Sequence, residues 1–242
     1  MTSNRLLFVL LFSIFTSLPA QAEYNDAVEM INRGDFIGAI EELKPLVELG
    51  YPPALFQQAG LYENGQGIAK NELKAFELYH RAAGRGIAEA QFALAQMYFD
   101  GRGTVKNNQQ GFEYTRRSAE KGLAAAQFNL AVMYQEGVIV PLNYGKAAVW
   151  YRDAAMQNYA FAQFNLALLY YEGKGVTKNI EESYIWNRVA AFNGHKDAET
   201  SMNMDSKQLS RDQIKRCRDK ADALYLKIAP DVDNYKPFTF DG

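Results

Sequence analysis

The sequence predicts an all-α protein built as a solenoid of helix-turn-helix repeats, and three observations predict it. One pattern returns every 36 residues in four tandem copies, without insertion or deletion. Within each copy, small and apolar residues recur at helical spacing. A glycine ends the first helical stretch of each copy and an asparagine precedes the second, the positions at which helix caps are expected.

Seven columns of identical residues define the repeat. The first-helix columns are alanine (Ala54, Ala90, Ala126, Ala162), phenylalanine (Phe56, Phe92, Phe128, Phe164), a second alanine (Ala59, Ala95, Ala131, Ala167) and tyrosine (Tyr62, Tyr98, Tyr134, Tyr170). The turn and the second helix add glycine (Gly65, Gly101, Gly137, Gly173), asparagine (Asn71, Asn107, Asn143, Asn179) and alanine (Ala83, Ala119, Ala155, Ala191). Chance does not fill seven columns in one register, so the repeat organises the chain.

The fourth copy shows how each element arises. Leu166, Leu169 and Tyr170 follow Ala162 at helical spacing, so one face of the first helix is apolar. A glycine then ends this helix, because glycine tolerates the left-handed conformation of a C-cap. Asn179 begins the second helix as an N-cap. The third copy has Ile139 where the other copies have a second turn glycine, so its turn must adopt another conformation.

At these columns the chain resembles the Sel1-like repeat family, a relative of the tetratricopeptide repeats. The resemblance implies a right-handed solenoid, with repeats at 51–86, 87–122, 123–158 and 159–194. Two departures from the family pattern are visible. Asparagine replaces the usual aspartate cap throughout, and alanine replaces the usual glycine at Ala95, Ala131 and Ala167.

The flanks predict capping elements, because the terminal repeats of a solenoid have one face toward water. Residues 23–50 resemble a shortened, tetratricopeptide-like first repeat, with Pro45 inside its second helix. Residues 195–229 are predicted to form C-terminal capping helices, the last of which starts at a capping box of Ser210 and Gln213. Residues 230–242 have no periodicity and are interpreted as a tail.

The first 22 residues have the pattern of a secretory signal peptide. Arg5 precedes a short apolar run that ends at Ala20-Gln21-Ala22, which predicts cleavage after Ala22. The mature protein is therefore expected in the periplasm or outside the cell. No second apolar stretch is long enough to span a bilayer, so membrane insertion after signal removal is not expected.

Composition and motifs favour a protein without catalysis. The net charge of −2 gives no reason to expect a nucleic-acid partner. His80 and His195 lie in distant repeats, and no nucleophile, metal or phosphate-binding motif occurs, so no catalytic residue, cofactor or metal is predicted. Cys217, the only cysteine, has two interpretations. It is either a reactive or intermolecular thiol, or a small buried hydrophobic residue on the stripe of the last helix.

The face formed by the first helices is the predicted binding surface, at positions that the repeat does not fix. An apolar, acid-edged groove suits an extended peptide or a partner helix. The alternative is that the next helix covers these side chains. The candidate partner-binding residues are Phe99, Val132, Gln135, Glu136, Phe161, Leu168, Tyr171 and Glu172.

Two functions follow as hypotheses. The first is an exported, non-enzymatic scaffold or adaptor that binds a peptide or protein partner on its concave face. The alternative is a hydrolase that acts on cell-wall or β-lactam substrates. The paired cysteines of the Sel1-like branch linked to β-lactam hydrolysis are absent from this sequence.

Overall fold

A computed structural model describes residues 20–229, and within this range it contains helices and no strand. Helix α1 occupies 20–32 of the described residues. The remaining helices are α2 (Phe36–Glu48), α3 (Pro52–Asn64), α4 (Glu72–Gly84), α5 (Ala88–Asp100), α6 (Asn108–Glu120), α7 (Ala124–Glu136), α8 (Tyr144–Ala155), α9 (Ala160–Glu172), α10 (Ile180–Phe192), α11 (Ala198–Ser206) and α12 (Arg211–Ile228). The odd-numbered helices α3 to α9 are the first helices of the four repeats, and α4 to α10 are the second helices.

The chain forms two compact units, Met1–Tyr114 and Thr115–Gly242, whose boundary lies within α6. In the first unit, α3 packs against α2 and α4, and α4 packs against α5. In the second unit, α7 to α10 pack in succession, and α10 also contacts α11 and α12. The cores consist of the alanine columns and the large apolar residues between them, so helices approach closely wherever alanine recurs.

The predicted caps of the repeats are confirmed. Each first helix of the four repeats ends on a glycine in the left-handed conformation, with φ between 69° and 75°. Each asparagine side chain accepts a hydrogen bond from the backbone N–H three residues on, at 2.9 to 3.1 Å. The asparagine N–H in turn donates to the carbonyl of the repeat's tyrosine at 2.8 to 2.9 Å. The glycine column therefore fixes the start of every turn, and the asparagine column fixes its end.

The second glycine of the turn is required by close backbone approach. A Cβ on Gly175 would lie 2.2 Å from the backbone carbon of Tyr144, and one on Gly103 would lie 2.1 Å from the carbonyl oxygen of Glu72. Both glycines have positive φ. Ile139 occupies this position in the third repeat, and among the described residues only Asn158 is a non-glycine with positive φ. The third turn thus has a different conformation, as its sequence predicts.

A buried glutamine column joins consecutive repeats. Gln91, Gln127 and Gln163 each donate from the side-chain amide to the carbonyl of the alanine eight residues earlier, at 3.4, 3.3 and 3.1 Å. The first repeat has Leu55 at this position, and Arg81 donates instead to the equivalent carbonyl, that of Val47, at 3.0 Å. Each of these carbonyls lies near the end of the preceding helix and also accepts from the backbone N–H three residues later, so the side chain adds a second hydrogen bond there.

Helices α11 and α12 cover α10. The predicted capping box of Ser210 and Gln213 is present at the start of α12. Cys217 is fully buried and shares a core with Ile214, Ala221 and Leu224, so the interpretation as a small buried hydrophobic residue is the one that the packing favours. This packing turns α10 from a surface helix into a buried one.

Two of the sequence predictions fall largely outside the described residues, namely most of the signal peptide and the tail at 230–242. The predicted cleavage point after Ala22 lies within α1. Gln21, on the side that cleavage would remove, accepts a hydrogen bond from the Tyr51 hydroxyl at 2.7 Å.

Candidate functional site

The predicted binding residues belong to both units and differ in exposure. Phe99 belongs to the first unit, where its ring lies over Gly111 and is partly buried. Val132 is partly buried against the core of the second unit. Phe161, Leu168 and Tyr171 remain exposed by 58%, 39% and 36% of their surface, so neighbouring helices do not cover them fully.

In the first unit the corresponding face carries a polar network. The Tyr79 hydroxyl donates to Glu63 at 2.7 Å, and Arg102 pairs with the same carboxylate and with Asp100. Burial and the bond to Glu63 raise the pKa of Tyr79, so the phenol stays protonated. Small and polar residues, Gly60 and Gln96, occupy the positions equivalent to Leu168. The exposed apolar strip is therefore a feature of the second unit.

That strip runs along α9 and continues onto α11. Phe161, Phe164, Leu168 and Tyr171 share one helix face because they are spaced by three, four and three residues. Met204 of α11, exposed by 54%, stands 36 residues after Leu168 and thus at the same repeat position. We call the surface formed by these five residues and His195 the α9–α11 groove.

An aromatic row forms one end of the groove. The ring of His195 stacks on Phe164 at 4.2 Å between centroids, and Phe161 meets the same imidazole edge-on at 5.2 Å. Phe161 also lies 6.3 Å from Phe128 of α7. Burial lowers the pKa of His195, which favours the neutral ring in this stack. The row joins three rings, Phe161, Phe164 and His195, into one aromatic cluster at the surface.

A pocket of about 130 Å³ opens beside the groove. Its apolar wall consists of Phe164, Leu168, Tyr171 and Met204. Its polar wall consists of Ser183 and Asn187 of α10 and Ser201 and Asp205 of α11. We call it the Asp205 pocket.

Three buried polar side chains meet in this pocket. Ser183 Oγ donates to Asp205 Oδ2 at 2.8 Å, and Asn187 Nδ2 donates to the same oxygen at 2.9 Å. Desolvation raises the pKa of Asp205, while the two donated hydrogen bonds lower it and only partly compensate. Within the described residues, the buried Asn187 Oδ1 has no hydrogen-bond partner.

The pocket exists because the residue type changes here in two columns of the repeat. Asn187 stands where Tyr79 and Tyr151 fill the space beside a phenylalanine in the first and third repeats. Asp205 stands in a column otherwise made of leucine and methionine. That column consists of Leu61, Met97, Met133 and Leu169. The exchange of a large ring for a short amide opens the cavity, and the exchange of an apolar core residue for a carboxylate gives it a charge.

Sequence reasoning did not find Ser183, Asn187 and Asp205. The signal was present, because following the alanine column to Ala198 places Asp205 in the apolar column of the first helices. A buried carboxylate at a position that the frame reserves for leucine or methionine breaks the consistency of the repeat, and such breaks concentrate at functional sites.

The rim of the groove carries charges of both signs. Glu172 pairs with Lys174 at 2.9 Å, and Lys178 lies over the Tyr171 ring at 5.4 Å from its centroid. Glu136 is exposed, and its charge raises the pKa of Tyr151 further beyond the effect of burial. Gln135 is partly buried on the same helix, α7. The acidic edge expected from the sequence is thus partly neutralised at Glu172.

The described residues contain neither a metal-binding cluster nor a membrane-spanning helix. No cluster of three or more histidine, cysteine, aspartate or glutamate side chains is placed to hold a metal ion between residues 20 and 229. In the same part of the chain, no helix has the length and apolar character needed to cross a membrane.

Comparison with known families gives the repeat a name. The Sel1 repeat model matches four consecutive segments, 52–87, 88–123, 124–159 and 160–195, which together make up more than half of the chain. The chain belongs to the Sel1 repeat family. Each matched segment begins one residue after the boundary set from the sequence columns. Proteins with Sel1 repeats are generally non-enzymatic scaffolds for protein–protein interaction.

Solved structures show the same fold. A Sel1 repeat protein from Oxalobacter formigenes is 27% identical, with a TM-score of 0.73 over 86% of this chain and 84% of its own. The protective antigen c5321 of uropathogenic Escherichia coli, with a Sel1-like repeat fold, is 28% identical, with a TM-score of 0.74 over 87% of this chain. These similarities confirm the predicted all-α solenoid class.

Two further comparisons limit what the relatives imply. This Sel1 repeat chain spans only 46% of the length of the E. coli antigen. The immunity protein Pa5087 of Pseudomonas aeruginosa is 21% identical with a TM-score of 0.50, over 91% of this chain and 86% of its own, and this likeness concerns the fold alone. A search of curated proteins found no match.

Proposed function

We propose that this Sel1 repeat protein is an exported adaptor that binds an extended peptide segment of a partner protein in the α9–α11 groove, on the concave side of the solenoid. The observation that carries the proposal is the apolar strip from Phe161 to Tyr171, in which Phe161, Leu168 and Tyr171 are exposed, continued by the exposed Met204. Phe161, Leu168 and Tyr171 stand at positions that vary between the repeats, whereas Phe164 belongs to the fixed phenylalanine column. Exposed apolar strips of this kind mark interaction sites on proteins.

The form of the groove favours a peptide over a compact ligand. The 130 Å³ pocket is smaller than the roughly 300–1,000 Å³ typical of small-molecule sites, whereas its size suits one side chain. The aromatic row and the pocket meet at Phe164 and extend from it in opposite directions along α9, so an extended chain can contact both. Peptide recognition commonly combines such an apolar surface with separate side-chain pockets.

The hydrolase alternative has no support in the geometry. Ser183 Oγ donates directly to the Asp205 carboxylate at 2.8 Å, without the imidazole that lies between hydroxyl and carboxylate in a serine hydrolase triad. We therefore do not propose it.

Export is the other part of the proposal, and it rests on the charged, apolar and A-x-A segments of residues 1–22. Mass spectrometry of the protein recovered from its own cells should give an N-terminus at Glu23. A full-length species as the main product would refute export while leaving the binding proposal intact.

Site-specific photo-crosslinking tests the groove. A benzoylphenylalanine at position 171 should crosslink a defined partner in intact cells, because the Tyr171 side chain lines the groove. The same probe at position 149 is the control, since Val149 of α8 is 58% exposed and lies outside the groove. Identical products from both positions would contradict the proposal.

Two alanine variants then separate binding from stability. Truncation of an anchor side chain at an interface commonly costs about 2 kcal/mol, or roughly 30-fold in affinity. Leu168→Ala and Tyr171→Ala should weaken binding of the crosslinked partner by about this factor. Their melting temperatures should match that of Val149→Ala. Normal binding by folded variants would place the site elsewhere.

A further inference from the structure

The Asp205 pocket differs from every equivalent place in the repeats, and this difference points to one kind of ligand group. We propose that the pocket is a specificity pocket for a single basic side chain, lysine or arginine, of the peptide bound in the α9–α11 groove. The inference rests on the proposed function and adds the chemistry of the partner.

The first step of the argument is burial. Asp205 retains 1% of its surface exposure, and Ser183 and Asn187 retain 1% and 3%. A carboxylate so deeply placed is costly unless a positive charge or several hydrogen-bond donors compensate it. Among the described residues, both hydrogen bonds to Asp205 reach Oδ2, and no lysine or arginine forms an ion pair with the carboxylate.

The second step is the comparison with a buried charge that is compensated. On the same helix as Asn187, Arg188 is 2% exposed and pairs with Asp222 at 2.9 Å. The fold therefore supplies a partner for one buried charge of this region and leaves Asp205 with neutral donors only. A ligand ammonium or guanidinium would complete the second pair.

The third step is shape. Phe164, Leu168 and Met204 give the pocket an apolar lining, and the carboxylate of Asp205 lines it beside Asn187. A lysine or arginine side chain has the matching form, an apolar stem and a charged end. The buried Asn187 Oδ1, which has no partner in the described part of the protein, offers the same cation a second acceptor after a small shift of the side chain.

The fourth step is that the pocket is specific to this repeat. In the third repeat, Tyr151 is fully buried against Phe128 at the position of Asn187, and Leu169 is buried at the position of Asp205. Packing of the repeats does not require a cavity with a carboxylate in it, because Tyr151 and Leu169 fill the same place in the third repeat.

A peptide selection tests the proposal. A phage-displayed library of random peptides is selected on the purified protein from Glu23 onward, and Leu168→Ala identifies the peptides that use the groove. Groove-binding peptides should share a lysine or arginine at one position beside apolar residues. Replacing that residue by norleucine, which keeps the stem and removes the charge, should weaken binding to the wild type about 10-fold or more.

Three variants make the test specific. Asp205→Asn keeps the size of the side chain and should reduce the lysine-to-norleucine difference to less than about 2-fold. Asn187→Tyr restores the residue of the first and third repeats and should block entry of the side chain. Glu172→Gln makes the same change of charge at the exposed rim and should leave the difference unchanged. Melting temperatures establish that each variant is folded.

The outcomes separate the two proposals. Groove-dependent peptides without a basic preference, or with one that survives Asp205→Asn, would overturn the specificity pocket and leave the peptide-binding function standing. Failure to select any peptide that depends on Leu168 would overturn both. A basic preference that disappears only in Asp205→Asn and Asn187→Tyr would support both.

Discussion

The third and fourth repeats belong to the same unit and share one register, yet their second helices are buried to different extents. Helix α8 buries one face, made of alanines and Tyr151. Helix α10 buries eight consecutive residues, from Ser183 to Ala190, because α11 and α12 pack against it. The second helix of the repeat therefore lies at the surface in the third copy (α8) and in the core in the fourth (α10). The difference arises because α11 and α12 cover α10.

One pair of equivalent residues shows the consequence. Arg152 and Arg188 are 36 residues apart and occupy the same repeat position. Arg152 is exposed and contacts the hydroxyl of Tyr170 on the neighbouring helix, whereas Arg188 is buried and bound to Asp222 of α12. Positions that are exposed on α8 can therefore be buried on α10, where Ser183 and Asn187 donate hydrogen bonds to Asp205 of α11.

Two glycines of the fourth repeat allow the largest test, because Gly175 packs against Tyr144 of the third repeat and Gly194 has no such neighbour. Gly175→Ala should lower the free energy of unfolding by about 3 kcal/mol, since it combines a left-handed backbone with a Cβ pressed against Tyr144. Gly194→Ala is the matched control, because Gly194 has φ of 78° and nothing within 4 Å of its Cβ position. That variant should lose about 1 kcal/mol in urea unfolding. Equal losses would show that the close approach at Gly175 is not what constrains the turn.

The two arginines allow the next test. Arg188→Ala should destabilise the protein by about 2–3 kcal/mol, because it leaves a partly buried Asp222 without its partner and opens space against Phe192. Arg152→Ala should change the free energy of unfolding by no more than about 0.5 kcal/mol, as is usual for surface positions. Urea denaturation of both variants is the measurement. Similar losses for the two would mean that α12 does not give α10 its different environment.

How much of this could be predicted from the sequence depends on the range of the interactions. The glycine C-caps and asparagine N-caps are local, since they require only residues within one turn, and the sequence predicted them at Gly173 and Asn179. The capping box at Ser210 and the altered turn at Ile139 are local in the same sense. A single sequence is sufficient for such features because propensity and capping chemistry act over a few residues.

The candidate site could be predicted only in part. Leu168 and Tyr171 were found because they vary within a fixed frame. Phe99 was predicted on the same ground, and its ring lies over Gly111 in the first unit. Asp205 was missed because its burial results from packing between α10 and α11, which the repeat period does not specify.

The caps themselves provide a test in which the third and fourth repeats should behave alike. Asn179→Ala and Asn143→Ala should each destabilise by about 1 kcal/mol, because each removes one cap hydrogen bond, of 3.1 and 2.9 Å. Denaturant midpoints of the two variants measure the losses. A cost confined to Asn179 would show that the altered turn at Ile139 has already weakened the cap of α8.

The smallest effect concerns pH and the buried carboxylate that the third repeat lacks. Desolvation raises the pKa of Asp205 above the ordinary value of 3.8, so the folded protein holds this proton more tightly than the unfolded chain. The stability contributed by this group is therefore fully present below pH 3.8 and is lost as the pH rises through the raised pKa. Asn at the same position does not titrate.

Asp205→Asn isolates this contribution, because all other titrating groups are common to the two proteins. The free energy of unfolding of the wild type, minus that of the variant, should decrease as the pH rises from 3.8 through the raised pKa of Asp205 and then become constant. Urea unfolding at a series of pH values measures this difference. A difference that increases with pH would mean that Ser183 and Asn187 stabilise the carboxylate more than burial destabilises it. In that case Asp205 would already be compensated within the fold, and a basic ligand side chain would have little left to supply.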